Sequence, residues 1–208
     1  MLLEGDDLAA WLSARAGKLT ASRMADAMDF RKDGKPGAAR VRLMHEILAE
    51  RMTGDSVRHF VTDAMQWGLE KEAEAKAEYE AQTGELIGAA GFYDHPRIDL
   101  FGATPDGLLT PDGLIETKCP TSQTFVAWKL AGVVPEEHKA QMLAQLVCTG
   151  RAWCKFVAYD PRVRDPRHRL FVRHFEPTAE ERAAIEAAAE SFLAEVDAMW
   201  ERLTTAAA

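Results

Sequence analysis

Apolar positions along this 208-residue chain recur at helical and strand periods in alternating blocks. Across residues 178–203, Ile185, Ala189, Phe192, Val196, Met199 and Leu203 follow a 4-3-4-3-4 spacing, one stripe of a long helix and a packing surface. Across 63–82, Met65, Leu69, Glu72, Lys76 and Tyr79 share a stripe, with Glu70, Glu74 and Glu78 on the opposite side. Helices are also predicted near 38–53, 122–131 and 136–149, with Gly54 and Gly84 closing the 38–53 and 63–82 segments. "LTASRMADAM" opens with Thr20 and Ser22, both N-cap types, and reads as a short helix. "DFRKDGKPG" reads as a polar loop. Strand-like runs lie near 86–94, 98–109 and 113–119, and "WCKFVAYD" and "HRLFVRHF" add two more, joined by "PRVRDPR". The order is helices, three strands, helices, two strands, helix. It predicts an α/β (α+β) fold with a mixed central sheet flanked by helices.

Length and composition, with 47% hydrophobic and 28% charged residues, suit one globular domain over 1–208. Its core runs over about 11–176 and its C-terminal helix over about 178–204. No apolar run is long enough to span a bilayer, and "MLLEGDDLAAWLSARAG" lacks the basic start and apolar segment of a signal peptide. The three cysteines, Cys119, Cys148 and Cys154, have no paired spacing, which favours a reducing cytoplasm over a disulfide framework. The net charge of −8 at first argues against nucleic acid. The distribution changes that picture. Residues 11–42 carry eight Lys/Arg against three Asp, and residues 151–174 carry seven against two, so the remainder holds −18. Two basic stretches on an acidic body could line a positive groove; solvated surface charge is the equally weighted alternative.

The tetrapeptide Thr-Pro-Asp-Gly occurs twice, ending at Gly107 and at Gly113. The second copy separates two apolar runs, so Pro111, Asp112 and Gly113 read as a β-turn with Asp112 at its tip. The first copy places Asp106 ten residues before Glu116, which shares a strand face with Lys118. A returning hairpin could set two carboxylates beside a lysine, an oxygen-rich arrangement suited to Mg²⁺ or Mn²⁺. The bland alternative is a surface Glu–Lys pair beside an unrelated turn. A four-residue loop over 110–113 would put Asp106 opposite Thr117, on the wrong face; an odd loop, a bulge or a bend at Gly107 is needed. Glu72, among inward-facing residues, needs a partner. Lys76, four residues on, is the structural candidate, and a metal is the functional one. His45, His59, His95, His168 and His174 fit no ligand spacing.

These segments resemble a known family. "TPDGLLTPDGLIETKCP" is similar to the Pro-Asp…Glu-x-Lys core of phage recombination exonucleases of the lambda-exonuclease and YqaJ type. "WLSARAGKLTAS", "MQWGLEKEAEAKAEYEAQTG" and "HKAQMLAQLVCTGRAWCKFVAYDPR" resemble further segments of that family in the same order, together covering most of 11–162. The resemblance implies a restriction-endonuclease-like PD-(D/E)xK core. It implies a Mg²⁺-dependent 5′→3′ exonuclease on double-stranded DNA, with two ions per active site and Mn²⁺ as a substitute. Such an enzyme leaves 3′ single strands for a phage annealing protein, forms a homotrimer, and works in the bacterial cytoplasm from a phage or prophage gene. Asp106, Glu116, the Thr117 carbonyl and Glu72 would then hold metal, Lys118 would orient or help deprotonate the attacking water, and Gln141 matches an active-site glutamine. Arg15, Ser22 and Thr104 match positions holding a terminal 5′-phosphate; for Ser22 a helix N-cap is the alternative. Arg31 or Lys32 matches a basic residue in the groove ahead of the cut. Met65 stands where the family has an apolar wedge, with core packing as its alternative. Gln145 and His138 lie one turn either side of Gln141 and belong with it at the site or are simply packing or solvent contacts.

The residues bear on three rival readings. Helicase-associated and CRISPR-adaptation nucleases of the same core carry four cysteines for an iron–sulfur cluster, against three here. A restriction enzyme should add a base-reading element, and none is obvious. A non-catalytic DNA-binding module would have no need of the intact Asp106, Glu116 and Lys118.

Overall fold

A computed structural model describes the backbone of residues 5–56 and 63–205, and their side chains except at 5–9, 63–65 and 69. The helices are α1 (Gly5–Arg15), α2 (Met24–Ala27), α3 (Ala38–Thr53), α4 (Asp63–Thr83), α5 (Ser122–Ala131), α6 (Glu136–Thr149) and α7 (Ala179–Thr205). The strands are β1 (Leu19–Thr20), β2 (Tyr93–Asp94), β3 (Phe101–Ala103), β4 (Gly107–Leu109), β5 (Gly113–Lys118), β6 (Trp153–Tyr159) and β7 (Leu170–Phe175).

The expected mixed sheet flanked by helices is present, divided into two. A small sheet has the order β1-β3-β2 and the main sheet the order β4-β5-β6-β7. Within the main sheet only β5 and β6 are parallel, and α5 and α6 form the crossover between them. Side-chain alternation sorts β5 cleanly. Leu114 joins Phe125, Met142, Leu146 and Phe156 on the α6 side, while Ile115 joins Ala75 and Tyr79 of α4 on the other. Helix α6 is buried on two faces, because Ala144, Val147 and Cys148 also join the cluster that holds α2, α3 and α7. The predicted C-terminal stripe packs there through Ile185, Ala189, Phe192 and Val196; only its last member, Leu203, is exposed.

Several expectations need correction. The run near 86–94 yields only the two-residue β2 and one isolated bridge, Gly88 to Leu108. The run near 98–109 breaks at Thr104, so its halves belong to different sheets. "LTASRMADAM" begins as strand β1, turns through a 3-10 segment and only then becomes α2; neither helix start is capped by a side chain. The helix α1 was not anticipated. The decisive correction is the hairpin loop. Leu109 pairs with Gly113, so the loop is the three residues 110–112, and Gly107 pairs with Ile115. An odd loop moves the register by one residue and sets Asp106 level with Glu116. Gly107 makes no bend. It lies within β4, where a Cβ would meet Ile87 Cγ2 at 2.3 Å, so glycine is required by close packing. Arg151 fastens the loop, its Nη1 donating to the carbonyls of Leu109 and Gly113 at 2.9 Å.

Much of the basic charge in the two positive stretches is paired within the fold. Arg23 pairs with Asp26 and Glu46, Lys18 with Asp94, Arg162 with Asp160, and Arg167 with Asp165. Arg40 is 1% exposed. It donates to the Ala27 carbonyl, pairs with Glu195 at 2.7 Å, and lies over the rings of Phe30 and Phe192. It therefore ties α2, α3 and α7 together. Arg40→Ala should lower stability by about 2–3 kcal/mol, through lost packing and an unmet carbonyl. Arg42→Ala, at an exposed position on the same helix, should cost under about 0.5 kcal/mol. Urea denaturation of both variants checks the contrast.

Candidate active site

The end of β5 gathers polar side chains because its alternation turns Glu116 and Lys118 to the α6 side. Glu116 is fully buried. Its Oε2 accepts from Gln145 Nε2 at 2.6 Å, and Lys118 Nζ lies 2.5 Å from its Oε1. That second contact is ionic without hydrogen-bond alignment, so Glu116 Oε1 is a buried oxygen with no hydrogen bond among the described residues. Lys118 Nζ donates to Gln141 Oε1 at 3.3 Å. Asp106 reaches the same place from the start of β4. Its Oδ2 accepts from the Thr117 amide at 2.6 Å and the Thr117 hydroxyl at 2.7 Å. Asp112, by contrast, is exposed at the loop, where its carbonyl accepts from the Ala152 amide.

Electrostatics mark the cluster as short of positive charge. The Asp106 carboxyl is pushed up to about 7, first by loss of solvent, then by the negative charges of Glu116 and Glu72. Burial opposes the charge of Lys118, but Glu116 and Asp106 outweigh it and raise its pKa. Cys119, just past the end of β5, is pushed up to about 12 by burial and then by Glu72 and Asp106, which holds it as the thiol. Among the described residues, no three acidic, histidine or cysteine side chains close into a ready metal cage. The reason is visible: Glu116 is turned to Lys118 and Gln145, and Glu72 on α4 is paired with Lys76. The Lys76 pair is the structural partner that the sequence offers. The residues nonetheless fit a hard divalent cation. The donors are oxygens, one buried carboxylate oxygen meets only the Lys118 ammonium without an aligned hydrogen bond, and the neighbouring carboxyl is destabilised by burial and by the negative charges beside it.

A second polar cluster lies two residues upstream. Thr104 follows β3, and its hydroxyl accepts from Trp11 Nε1 at 3.2 Å and Arg15 Nη1 at 3.5 Å. The Arg15 guanidinium sits over the Trp11 ring at 4.2 Å. Strand β1 runs parallel to β3 with Thr20 level with Gly102, so Ser22 and Thr104 leave neighbouring strand ends. The exposed Ser22 hydroxyl caps no helix and lies 3.4 Å from Thr20 Oγ1. Arg31 and Lys32 are exposed on the loop before α3, with Arg31 3.4 Å from Asp33. The Met65 side chain and His59 lie outside the described residues. His138 packs between Trp128 and Phe156, with its pKa lowered by burial and then by Lys118. The role of Gln145 is not fixed by the sequence, where its i, i+4 spacing from Gln141 is the one signal it carries.

With this geometry in place, comparisons with known proteins are informative. The model of the YqaJ-like viral recombinase domain matches residues 10–152. No curated protein matches. Among solved structures, an alkaline exonuclease from Laribacter hongkongensis, LHK-Exo, has 40% sequence identity and a TM-score of 0.87; the match covers 96% of this chain and 97% of that one. A structure of LHK-Exo in complex with dAMP matches equally well. A phage related exonuclease from Haemophilus somnus, at 14% identity and a TM-score of 0.64, covers 92% of this chain and 96% of its own and shows a shared fold.

The charge imbalance makes a prediction. Asp106→Asn keeps an acceptor for Thr117 and removes one of the crowded charges. In EDTA it should melt a few degrees above the unmodified protein. Added Mn²⁺ should raise the melting temperature of the unmodified protein and leave the variant unmoved. Scanning calorimetry with and without the ion measures both.

Proposed function

The chain belongs to the YqaJ-like viral recombinase domain family, and from that premise we propose that it is a Mg²⁺-dependent phage-type exonuclease that digests double-stranded DNA 5′→3′. The observation that carries the reading is the hairpin register, which sets Asp106 level with Glu116 while Lys118 contacts the same carboxylate. Two Mg²⁺ or Mn²⁺ ions, when bound, supply neutralisation of the phosphate oxygens and activation of the attacking water. Asp106, Glu116, Glu72 and the Thr117 carbonyl would hold them. Thr117 orients Asp106 through two hydrogen bonds to one oxygen, which fixes the carboxylate plane. Lys118 orients the water and screens the charge that builds on phosphorus, and Gln141 steadies its ammonium. Hydrolysis breaks the P–O3′ bond, and the 3′ oxygen leaves with a proton.

The direction rests on the upstream cluster. Arg15, Thr104 and Ser22 offer a guanidinium and hydroxyls, the donors that suit a terminal 5′-phosphate, and only Pro105 separates Thr104 from Asp106. Arg31 or Lys32, exposed on the loop before α3, would follow the backbone of the duplex ahead of the cut. The product would carry a 3′ single strand for the annealing protein of a phage recombination system in the bacterial cytoplasm. A homotrimeric ring suits the exposed Val126, Leu130 and Val133 at α5, apolar surface that a second copy would cover.

The test is digestion of linear duplexes labelled at either end. With Mg²⁺ the 5′ label should be released first, and EDTA should stop release. Asp106→Ala, Glu116→Ala and Lys118→Ala should each lower the rate by about a thousandfold or more. Asp112→Ala should digest normally. A folded Asp112 variant as inactive as the Asp106 variant would overturn the assignment.

The phosphate pocket makes its own prediction. Duplexes with a 5′-phosphate should be digested faster than those with a 5′-hydroxyl, and Arg15→Ala should remove the difference. Equal rates for the unmodified enzyme on both substrates would remove the pocket from the mechanism.

A further inference from the structure

The geometry points to Gln145 as a positioning residue, which holds one oxygen of Glu116 so that the other is presented to the cation site. The inference rests on the metal-dependent reading above. Gln145 lies on α6, between Ala144 and Leu146, and all three are fully buried. Its Nε2 donates to Glu116 Oε2 at 2.6 Å, while its own Oε1 is buried with no hydrogen-bond partner among the described residues. A buried amide with an unmet acceptor costs stability. An apolar side chain would fill the same helix position without that cost, so packing does not account for glutamine here.

The helix and the strand are matched in spacing. Positions i and i+4 on a helix are about 6 Å apart along the axis, and positions i and i+2 on a strand about 6.6 Å. Gln141 and Gln145 therefore span Lys118 and Glu116, one contact each. The chemistry of the amide matters as much as its place. A lysine at 145 would add a second positive charge to that of Lys118, whereas the amide orients Oε2 without adding any. With Oε2 fixed, Oε1 is the oxygen that faces Lys118 and has no aligned hydrogen bond. Partners behind a ligand commonly set its orientation in this way.

The test compares the unmodified protein with Gln145→Met, which matches the size and has no donor, and Gln145→Ser, which leaves room for a water to donate in its place. Calorimetric titration with Mn²⁺ should show about tenfold or greater loss of affinity in Gln145→Met. Turnover at saturating DNA should fall by a similar factor, with KM for the duplex within about twofold of normal. Gln145→Ser should recover part of both. A merely structural glutamine would lower the melting temperature and leave the Mn²⁺ isotherm of the folded protein unchanged. A Gln145→Met protein that binds Mn²⁺ and turns over within about twofold of the unmodified one overturns the inference alone. If Gln145→Met does not fold, a Gln145→Ser protein with a normal isotherm and normal turnover overturns it. An unmodified protein that binds no Mn²⁺ removes the metal reading, and this inference with it.

Discussion

A carboxylate with no exposed surface on a strand of the main sheet is the constraint on which the rest of this structure depends. A fully buried polar side chain such as Glu116 needs partners, because leaving it unpaired takes a large share of a domain's ordinary stability. Lys118 supplies charge from two residues along the same strand, and Gln145 supplies a hydrogen bond from α6. The Gln145 contact to Glu116 and the Gln141 contact to Lys118 fix the distance between helix and strand at this polar end. Further along, Leu114, Met142, Leu146 and Phe156 fix the same spacing by contact. The apolar and polar halves of the α6–β5 interface thus agree on one geometry, so the charged end is held as rigidly as the core.

The second carboxylate arrives through loop length. A hairpin with one more loop residue would turn Asp106 to the opposite face and leave Glu116 without its neighbour. Three features hold the register. They are the Arg151 contacts to the loop carbonyls, the close approach of Gly107 to Ile87, and the two hydrogen bonds from Thr117 to Asp106. The result is strained electrostatically rather than sterically, since Asp106 ionises against Glu116 and Glu72. A fold that accepts such a cost locally and offsets it in three separate cores is organised around the site.

Helix positions were legible in the sequence because their signals are local. Gly54, Gly84 and Gly132 each stand at a helix end with φ near 70–75°, a conformation that other residues adopt at a cost. The three-residue loop was not legible, because 110–113 is an equally good turn by residue type and only the pairing with β5 decides between them. Strands β1 and β2 have two residues each and exist because β3 lies between them, which no periodicity records. The roles of the basic residues were hidden for a similar reason. Arg40 counts as surface charge in the sequence and is buried against Glu195, 155 positions away. For Asp106, Glu116 and Lys118 the sequence named the right neighbours, whereas for Gln145 it offered two readings and only the tertiary contact separates them.

The pairing of so many arginines within the fold sharpens the meaning of those that remain near the site. Arg40 and Arg162 are committed to carboxylates, and Arg151 and Arg173 to backbone carbonyls. Arg15 contacts a hydroxyl and an aromatic ring, and burial lowers its pKa against the pull of Glu50. Stacking on Trp11 holds the guanidinium plane without neutralising it, and Thr104 is a donor as well as an acceptor. A dianionic terminus entering that pocket would meet a charge already desolvated and oriented. The main cost of binding, immobilising a long side chain and stripping its water, is then met by folding. The acids at the end of β5 are held short of positive charge while the neighbouring cluster holds a partly buried arginine on a ring and a hydroxyl. That opposition of sign, across the two residues from Thr104 to Asp106, is what would draw a phosphate terminus to one side and a divalent cation to the other.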